Sequence, residues 1–197
     1  MSRTNQKGKI FVISGPSGSG KTTLVKKLLT DKSLKKILAK SVSFTTRPRR
    51  SGEAGGRDYI FVSAAEFLRL RREKKILEWT RYLGYYYGTA REFVERCIAE
   101  GRHILLCLDK KGADRIKRLY PRETATVFII PPSIKALRRR IEARCRKTRR
   151  KEISARLRLA KAEVLLHKAY DYAVVNDDLR QAQNALRGII LEYVSAN

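Results

Sequence analysis

The stretch KIFVISGPSGSGKTTL, Lys9–Leu24, decides the fold class. Its first part, KIFVIS (9–14), is an unbroken apolar run, the pattern of a strand buried on both faces of a parallel sheet. Its second part, GPSGSGKT (15–22), fills every position of G-x-x-x-x-G-K-[ST]. A helical pattern over 20–30 follows at once, so the motif has the strand–turn–helix setting that a chance match lacks. The glycines let backbone N–H groups turn inward around phosphate oxygens. The positive end of the helix adds to the same attraction. Gly15, Pro16, Ser17, Gly18, Ser19, Gly20, Lys21 and Thr22, with Thr23 after them, are the candidate triphosphate cradle. Lys21 is suited to the β- and γ-phosphates, and the Thr22 hydroxyl to Mg²⁺. A glycine-rich turn with an incidental lysine does not account for the whole pattern.

Outward from this loop, HILLCLD (103–109), ATVFII (125–130) and YAVVN (172–176) read as further doubly buried strands. Helical patterns occupy 90–100, 110–119, 133–145, 153–168 and 179–194. That alternation predicts an α/β domain with a parallel sheet flanked by helices. Two regions break it. Residues 41–89 are rich in Gly, Arg and Tyr and carry short strand patterns such as YIFVS and YYYG, as an inserted subdomain with its own β-structure would. Residues 144–152, RCRKTRRKE, join two helical segments without a bulky apolar anchor, the composition of a lid. No internal repeat or long linker separates these parts, so the expectation is one domain over 1–197. Its core covers about 8–40, 90–140 and 159–197, with the inserted subdomain at about 41–89 and the lid at about 141–158.

Composition narrows the class of partner. In 197 residues, 43% are apolar, enough for a buried core. Lys and Arg number 45 against 19 acidic residues, a formal net charge of +26, which implies attraction to an anion. Cys97, Cys107 and Cys145 are odd in number and form no C-x-x-C pair, so neither a disulfide framework nor a zinc site is expected. The polar N-terminus is followed by only four apolar residues, Ile10–Ile13, and no later segment would span a membrane. The expectation is a cytoplasmic protein. The guanine-reading N-K-x-D sequence of GTPases is missing, and the chain is short for a motor or helicase core.

Several separate stretches then agree. ISGPSGSGKTTL, SVSFTTRPRRSGEAGGRDYIFVS, ILEW, YYYGT and VVNDDL occur in the order and approximate spacing of guanylate kinases, and the chain resembles that family from about residue 8 to its C-terminus. The resemblance implies a P-loop kinase that phosphorylates GMP with ATP and Mg²⁺, with a core, a GMP-binding subdomain and a lid. It places Arg47, Arg50, Tyr59 and Tyr87 on the GMP phosphate, where guanidinium forks and tyrosine hydroxyls suit an anion. Glu78 of ILEW falls at the carboxylate that reads guanine, accepting from N1–H and N2–H₂ together, a donor pair that adenine lacks. Ser43 and Thr89 match hydroxyls near the guanine O6, and Glu53 takes a supporting place. Arg49 and Arg57 are read as solvated charges. Arg144 and Arg156 resemble the arginines that close over the transferring phosphoryl group. Asn176 matches a position near the adenine of ATP, with Asp177 as a candidate cap for the final helix.

Two departures stand out. The family commonly has two acidic residues at the end of the HILLCLD strand, two apart, where this chain has Cys107 and Asp109. Asp109 is kept for guanine or for the waters of the metal, and Cys107 reads as a buried structural thiol. The lid has Cys145 at a usual glycine, is one residue longer, and is strongly basic. Twelve basic residues between Lys135 and Arg158 face only Glu142 and Glu152. Two rival readings follow. A protein-binding module would have lost the phosphate loop, which is intact here. Nucleic-acid binding, driven by charge alone, would be a non-specific side activity that weakens with salt. A monomer or a homodimer is expected, with ATP and GMP as the small-molecule partners.

Overall fold

The computed structural model describes residues 7–50, 52–144 and 150–196, without the side chains of residues 144 and 150–152. The elements in chain order are β1 (Ile10–Ser14), α1 (Lys21–Thr30), β2 (Leu38–Lys40), β3 (Phe44–Thr45), β4 (Ile60–Phe61), α2 (Ala64–Arg72), β5 (Ile76–Tyr82) and β6 (Tyr85–Ala90). Then come α3 (Arg91–Ala99), β7 (His103–Cys107), α4 (Lys110–Leu119), β8 (Thr124–Ile130), α5 (Ile134–Arg144), α6 (Arg150–Val164), a 3₁₀ turn (Leu165–Ala169), β9 (Tyr172–Val175) and α7 (Leu179–Ser195). A five-stranded sheet runs in the order β2-β7-β1-β8-β9 and a four-stranded one in the order β4-β3-β6-β5. The chain divides into two compact units, Met1–Ile10 with Leu38–Thr124, and Phe11–Ile37 with Ala125–Asn197.

In the first unit, β2 pairs parallel with β7 (Leu38↔His103 to Lys40↔Leu105). Ile104, Leu105 and Leu106 of β7 are buried. The four-stranded sheet is mixed, with β3 parallel to β4 and antiparallel to β6, which pairs in turn with β5. The β5–β6 hairpin turns through Leu83 (φ 49°) and Gly84 (φ 86°), two left-handed residues whose twist matches that of the strands. Under this sheet lies α2, capped by Ser63, whose Oγ accepts from the Glu66 N–H at 3.1 Å. Phe67, Leu70 and Ile76 form a core there, with Phe44, Val62 and Tyr86 against it. Gly88 is required at this contact. A Cβ would stand 2.8 Å from the Ile76 Cγ2 and 3.0 Å from the Phe67 Cζ.

In the second unit, β8 pairs parallel with β9 from Val127↔Tyr172 to Ile130↔Val175. α1 packs on α7, and Phe11 meets Tyr193 edge-on at 5.7 Å between ring centroids. α5 packs on α6 through Leu137, Ile141 and Ala160, with Ile153 and Leu157 alongside.

Three expectations are corrected. β9 is not buried on both faces: it is the last strand of its sheet, and Val175 is 56% exposed. Cys107 is exposed rather than a buried thiol, because it is the last residue of β7 and burial covers only the three residues before it. The final helix is capped by Asp178, not Asp177, with the Gln181 N–H donating to its Oδ1 at 2.7 Å. Cys145 and the lid stretch over 145–149 lie outside the described residues.

Candidate functional site

The phosphate loop belongs to the second unit. β1 enters it buried along its whole length, and α1 leaves it at Lys21. Gly15, Gly18 and Gly20 sit at φ 137°, 87° and 97°, left-handed backbone that an L side chain strains to adopt. These glycines are therefore backbone requirements, independent of any ligand. Lys21 Nζ donates to the carbonyl of Pro16 at 2.9 Å and to that of Gly15, so the ammonium is held over the loop. Thr22 and Thr23 are exposed on the first turn of α1, while Pro16 is buried and Ser17 half-buried. Ser19 is buried, and its hydroxyl has no hydrogen-bond partner among the described residues.

Asn176, just past β9, is buried, and its Nδ2 donates to the Ser19 carbonyl at 2.7 Å. A Cβ on Gly20 would collide with that same amide. Asn176 thus braces the loop, a role the resemblance to an adenine contact does not describe. Its carbonyl accepts from Arg140 Nη2 at 3.4 Å. Arg140 Nη1 is buried without a partner among the described residues, an expensive condition for a guanidinium N–H. Sequence reasoning counted Arg140 only within a basic run. Its place three residues after Leu137, on the helical face that packs inward, was the available signal. Arg156 is buried on α6, and the side chain of Arg144 lies outside the described residues.

The acceptor residues belong to the first unit. Along β6, Tyr87 and Thr89 point to one face, since side chains alternate in a strand. The register sets Thr80 against Tyr87 and Trp79 against Gly88, which brings Glu78 beside Thr89. Glu78 is 5% exposed, and its Oε1 accepts from Thr89 Oγ1 at 2.5 Å. Burial pushes the Glu78 carboxyl up to about 7, the Thr89 bond works in the opposite direction, and the charge of Asp109 adds to the rise. Asp109 caps α4, accepting from the Gly112 N–H at 2.9 Å.

Two residues before Thr89, Tyr87 meets Tyr59 edge-on at 5.9 Å, and the Arg47 guanidinium lies 5.5 Å from the centre of the Tyr59 ring. Arg47 is 6% exposed. Its Nη2 donates to both oxygens of Glu53, at 2.8 and 2.9 Å, and its Nη1 to the Pro48 carbonyl at 2.6 Å. Glu53 also accepts from the Arg50 N–H at 2.9 Å. Burial opposes the Arg47 charge, but Glu53 and Tyr87 outweigh it and raise its pKa. Burial likewise opposes ionisation of Glu53, yet the Arg50 N–H and the Arg47 guanidinium hold its carboxyl below the usual range. Glu53, given only a supporting place from sequence, is the organiser of this cluster. Arg50 and Ser43 are half-buried, whereas Arg49 and Arg57 are exposed, Arg57 pairing with Asp58 at 3.1 Å.

Two short contact chains, Glu78–Thr89 and Tyr87–Tyr59–Arg47–Glu53, therefore meet along one face of β6, a buried carboxylate beside a cationic and tyrosine-lined cluster. Tyr87 and Thr89 are about 7 Å apart along the strand. Acceptor-only chemistry at one end and anion-binding chemistry at the other suit a purine monophosphate.

The comparisons with known proteins agree with this geometry. The family model described as guanylate kinase matches residues 7–193. A guanylate kinase of Malacoplasma penetrans is 38% identical over 195 residues, covering 98% of this chain and 98% of that protein. One of Methylococcus capsulatus is 43% identical over 183 residues, covering 93% and 87%. The crystal structure of guanylate kinase from Anaplasma phagocytophilum superposes with a TM-score of 0.78 at 34% identity, covering 95% of this chain and 86% of that one. With the phosphate loop, the buried carboxylate and the arginine–tyrosine cluster all in place, the chain belongs to the guanylate kinase family.

Proposed function

We propose that this protein is an ATP:GMP phosphotransferase, moving the γ-phosphoryl group of ATP to GMP and releasing ADP and GDP. The observation that carries the reading is the spacing along β6. Thr89 braces a buried carboxyl that, when ionised, accepts but does not donate, and Tyr87, two residues away, begins the cluster that would hold a phosphate. Guanine satisfies both oxygens of Glu78 through N1–H and N2–H₂, whereas adenine leaves them facing its N1 lone pair. Ser43 and Asp109 complete the guanine end, and Arg47, Arg50, Tyr59 and Tyr87 the phosphate end.

On the ATP side, the loop amides over Gly15–Gly20 and Lys21 take the phosphates, with Asn176 fixing the loop and Arg140 offering its spare donor. Phosphoryl transfer proceeds mainly by alignment and charge neutralisation, and Lys21, Arg47, Arg144 and Arg156 supply the positive charge. The donor set also fits Mg²⁺. Thr22 presents an exposed hydroxyl immediately after Lys21, and Ser19 carries an orphaned one, in keeping with an ion bound through one or two protein oxygens and substrate phosphates. When bound, the ion would supply positive charge that offsets the charge on the phosphates. Residues 141–158 act as the lid and 41–89 as the GMP-binding subdomain of one catalytic domain, in a monomer or homodimer of the cytoplasm. No helix among the described residues is long and apolar enough to cross a membrane.

The test is a steady-state assay with ATP, Mg²⁺ and GMP, dGMP, AMP, CMP or UMP as competing acceptors. GDP formation with GMP preferred over AMP is expected. No turnover of GMP, or equal use of AMP, would overturn the proposal.

A further inference from the structure

We propose that Gly112 is a positioning residue for guanine discrimination. The missing side chain at this point of α4 fixes where Glu78 holds its carboxylate, and thereby sets the preference for guanine over a purine without the 2-amino group. This inference rests on the reading of Glu78 as the group that meets the base.

The carboxylate of Glu78 is bounded on both oxygens. Oε1 accepts from Thr89 Oγ1 at 2.5 Å. Oε2 lies against the first turn of α4, where a Cβ built on Gly112 would stand 2.8 Å away. The same Cβ would meet the Leu108 Cβ at 3.1 Å and the Asp109 Oδ1 at 3.4 Å. The contact to Oε2 is the severe one, and it is the one made by the tip of a side chain that can move aside.

Other reasons for a glycine are missing here. Gly112 is outside the group of glycines with left-handed φ. It is the third residue of a ten-residue helix, a place where alanine is the better helix former. Its N–H donates to Asp109 Oδ1 at 2.9 Å, a bond that any residue but proline could make. What glycine supplies is room for the carboxylate.

Room matters because of what the carboxylate must do. Guanine offers N1–H and N2–H₂ side by side, and both carboxylate oxygens must lie in the plane of the base to accept them. Hypoxanthine, the base of IMP, offers N1–H but no N2 amine, so it engages one oxygen and tolerates a tilted carboxylate. Displacing Oε2 therefore penalises GMP more than IMP. The Thr89 bond holds one oxygen while the glycine gap admits the other, and the two together specify the plane.

The experiment compares kcat/KM for GMP and IMP, and KM for ATP, in the wild type, Gly112→Ala, Glu78→Gln and the double variants Gly112→Ala/Glu78→Gln and Gly112→Ala/Glu78→Asp. Gly112→Ala should cut the GMP/IMP preference roughly tenfold or more, the scale of one charge-assisted hydrogen bond, with KM for ATP unchanged. Added to Glu78→Gln it should change the preference no further. A preference kept within about twofold in Gly112→Ala, while Glu78→Gln collapses it, overturns the positioning role and leaves the reading of Glu78 intact. An unchanged preference in Glu78→Gln removes that reading, and this inference with it. If Gly112→Ala alone does not fold, the shorter carboxylate of the double variant with Glu78→Asp withdraws from the new methyl group. Recovery of the fold then supports the proposal, and failure of that variant to fold places the clash at Leu108 and refutes it.

Discussion

Lowering the pH from 8 to 6 should weaken capture of GMP through one buried carboxyl. Glu78 is 5% exposed, and its carboxyl titrates at about 7 against an ordinary value of 4.5, with burial as the first cause. Guanine requires the ionised form, since a protonated oxygen would face the N–H donors of the base. With half-ionisation near 7, the fraction competent to bind falls from about nine-tenths at pH 8 to about one-tenth at pH 6, so KM for GMP rises about tenfold. The phosphate of GMP also titrates near pH 6 and adds a factor of roughly two. Glu78→Gln isolates the difference, because it keeps the phosphate titration and loses the carboxyl. A wild-type KM that rises by no more than that of Glu78→Gln between pH 8 and 6 would refute the reasoning.

The same shift sets a stability trend of opposite sense to that of a salt-bridged carboxylate. Between pH 4.5 and 7 the unfolded chain has released the Glu78 proton while the folded chain retains it. The folded state therefore binds more protons in that window, and stability falls as pH rises through it. A shift from 4.5 to about 7 corresponds to about 3 kcal/mol, reached near pH 7 and level above it. Glu78→Gln, which cannot ionise, should be more stable than the wild type at pH 8 by an amount of that order. Denaturant midpoints should converge at pH 4.

Three further outcomes follow from the site. Lys21→Ala should cut kcat by about two orders of magnitude or more while leaving KM for GMP within about twofold, as single-turnover and steady-state assays would reveal. An equal rise in KM for GMP would dissociate Lys21 from the ATP end. Glu53→Ala leaves the buried Arg47 guanidinium without its bidentate partner and should cost about 3 kcal/mol in denaturant unfolding, with a GMP KM raised about tenfold or more. Glu53→Ala with wild-type GMP affinity would show that Arg47 is held well enough by the Pro48 carbonyl. Asn176→Ala removes the bond to the Ser19 carbonyl and should cost about 1–2 kcal/mol and raise KM for ATP. A change confined to GMP would contradict the bracing role.

The phosphate loop was legible because its chemistry is local: glycine spacing, one lysine and one threonine suffice, with a strand before and a helix after. The long buried strands β1 and β8 were legible for the same reason, since burial on both faces leaves an unbroken apolar run. Elements that carry no period were not. β2 has three residues and β3 two, too few for alternation to register, whereas β4 falls within the strand pattern YIFVS. α2 lies in the region read for short strand patterns, although SAAE over 63–66 is a capping-box signature. The choice of Asp177 over Asp178 was a one-residue error of boundary between two equally good caps.

Site residues divide along a different line. A residue proposed to touch substrate carries its chemistry in its own side chain, so Lys21 can be singled out from its motif, and Glu78 and Arg47 from the family resemblance. Residues that hold those side chains in place act through contacts that only folding creates. Thr89 illustrates the difference: the resemblance matches its hydroxyl to a position near the guanine O6, and the register of the hairpin also bonds it to Glu78 eleven positions away. Glu53 has only a supporting place from sequence, and the fold brings it onto Arg47. Gly112 is the extreme case, since its contribution is an absent atom whose collision partner comes from β5. Cys107 follows the same logic in reverse. An apolar strand predicts burial for its members, but the last residue of β7 escapes the covering layer, and only the three-dimensional end of the sheet determines where that cover stops. What sequence conveys least is therefore the geometry that keeps reactive groups in position, and in this protein that geometry is where the specificity for guanine would be set.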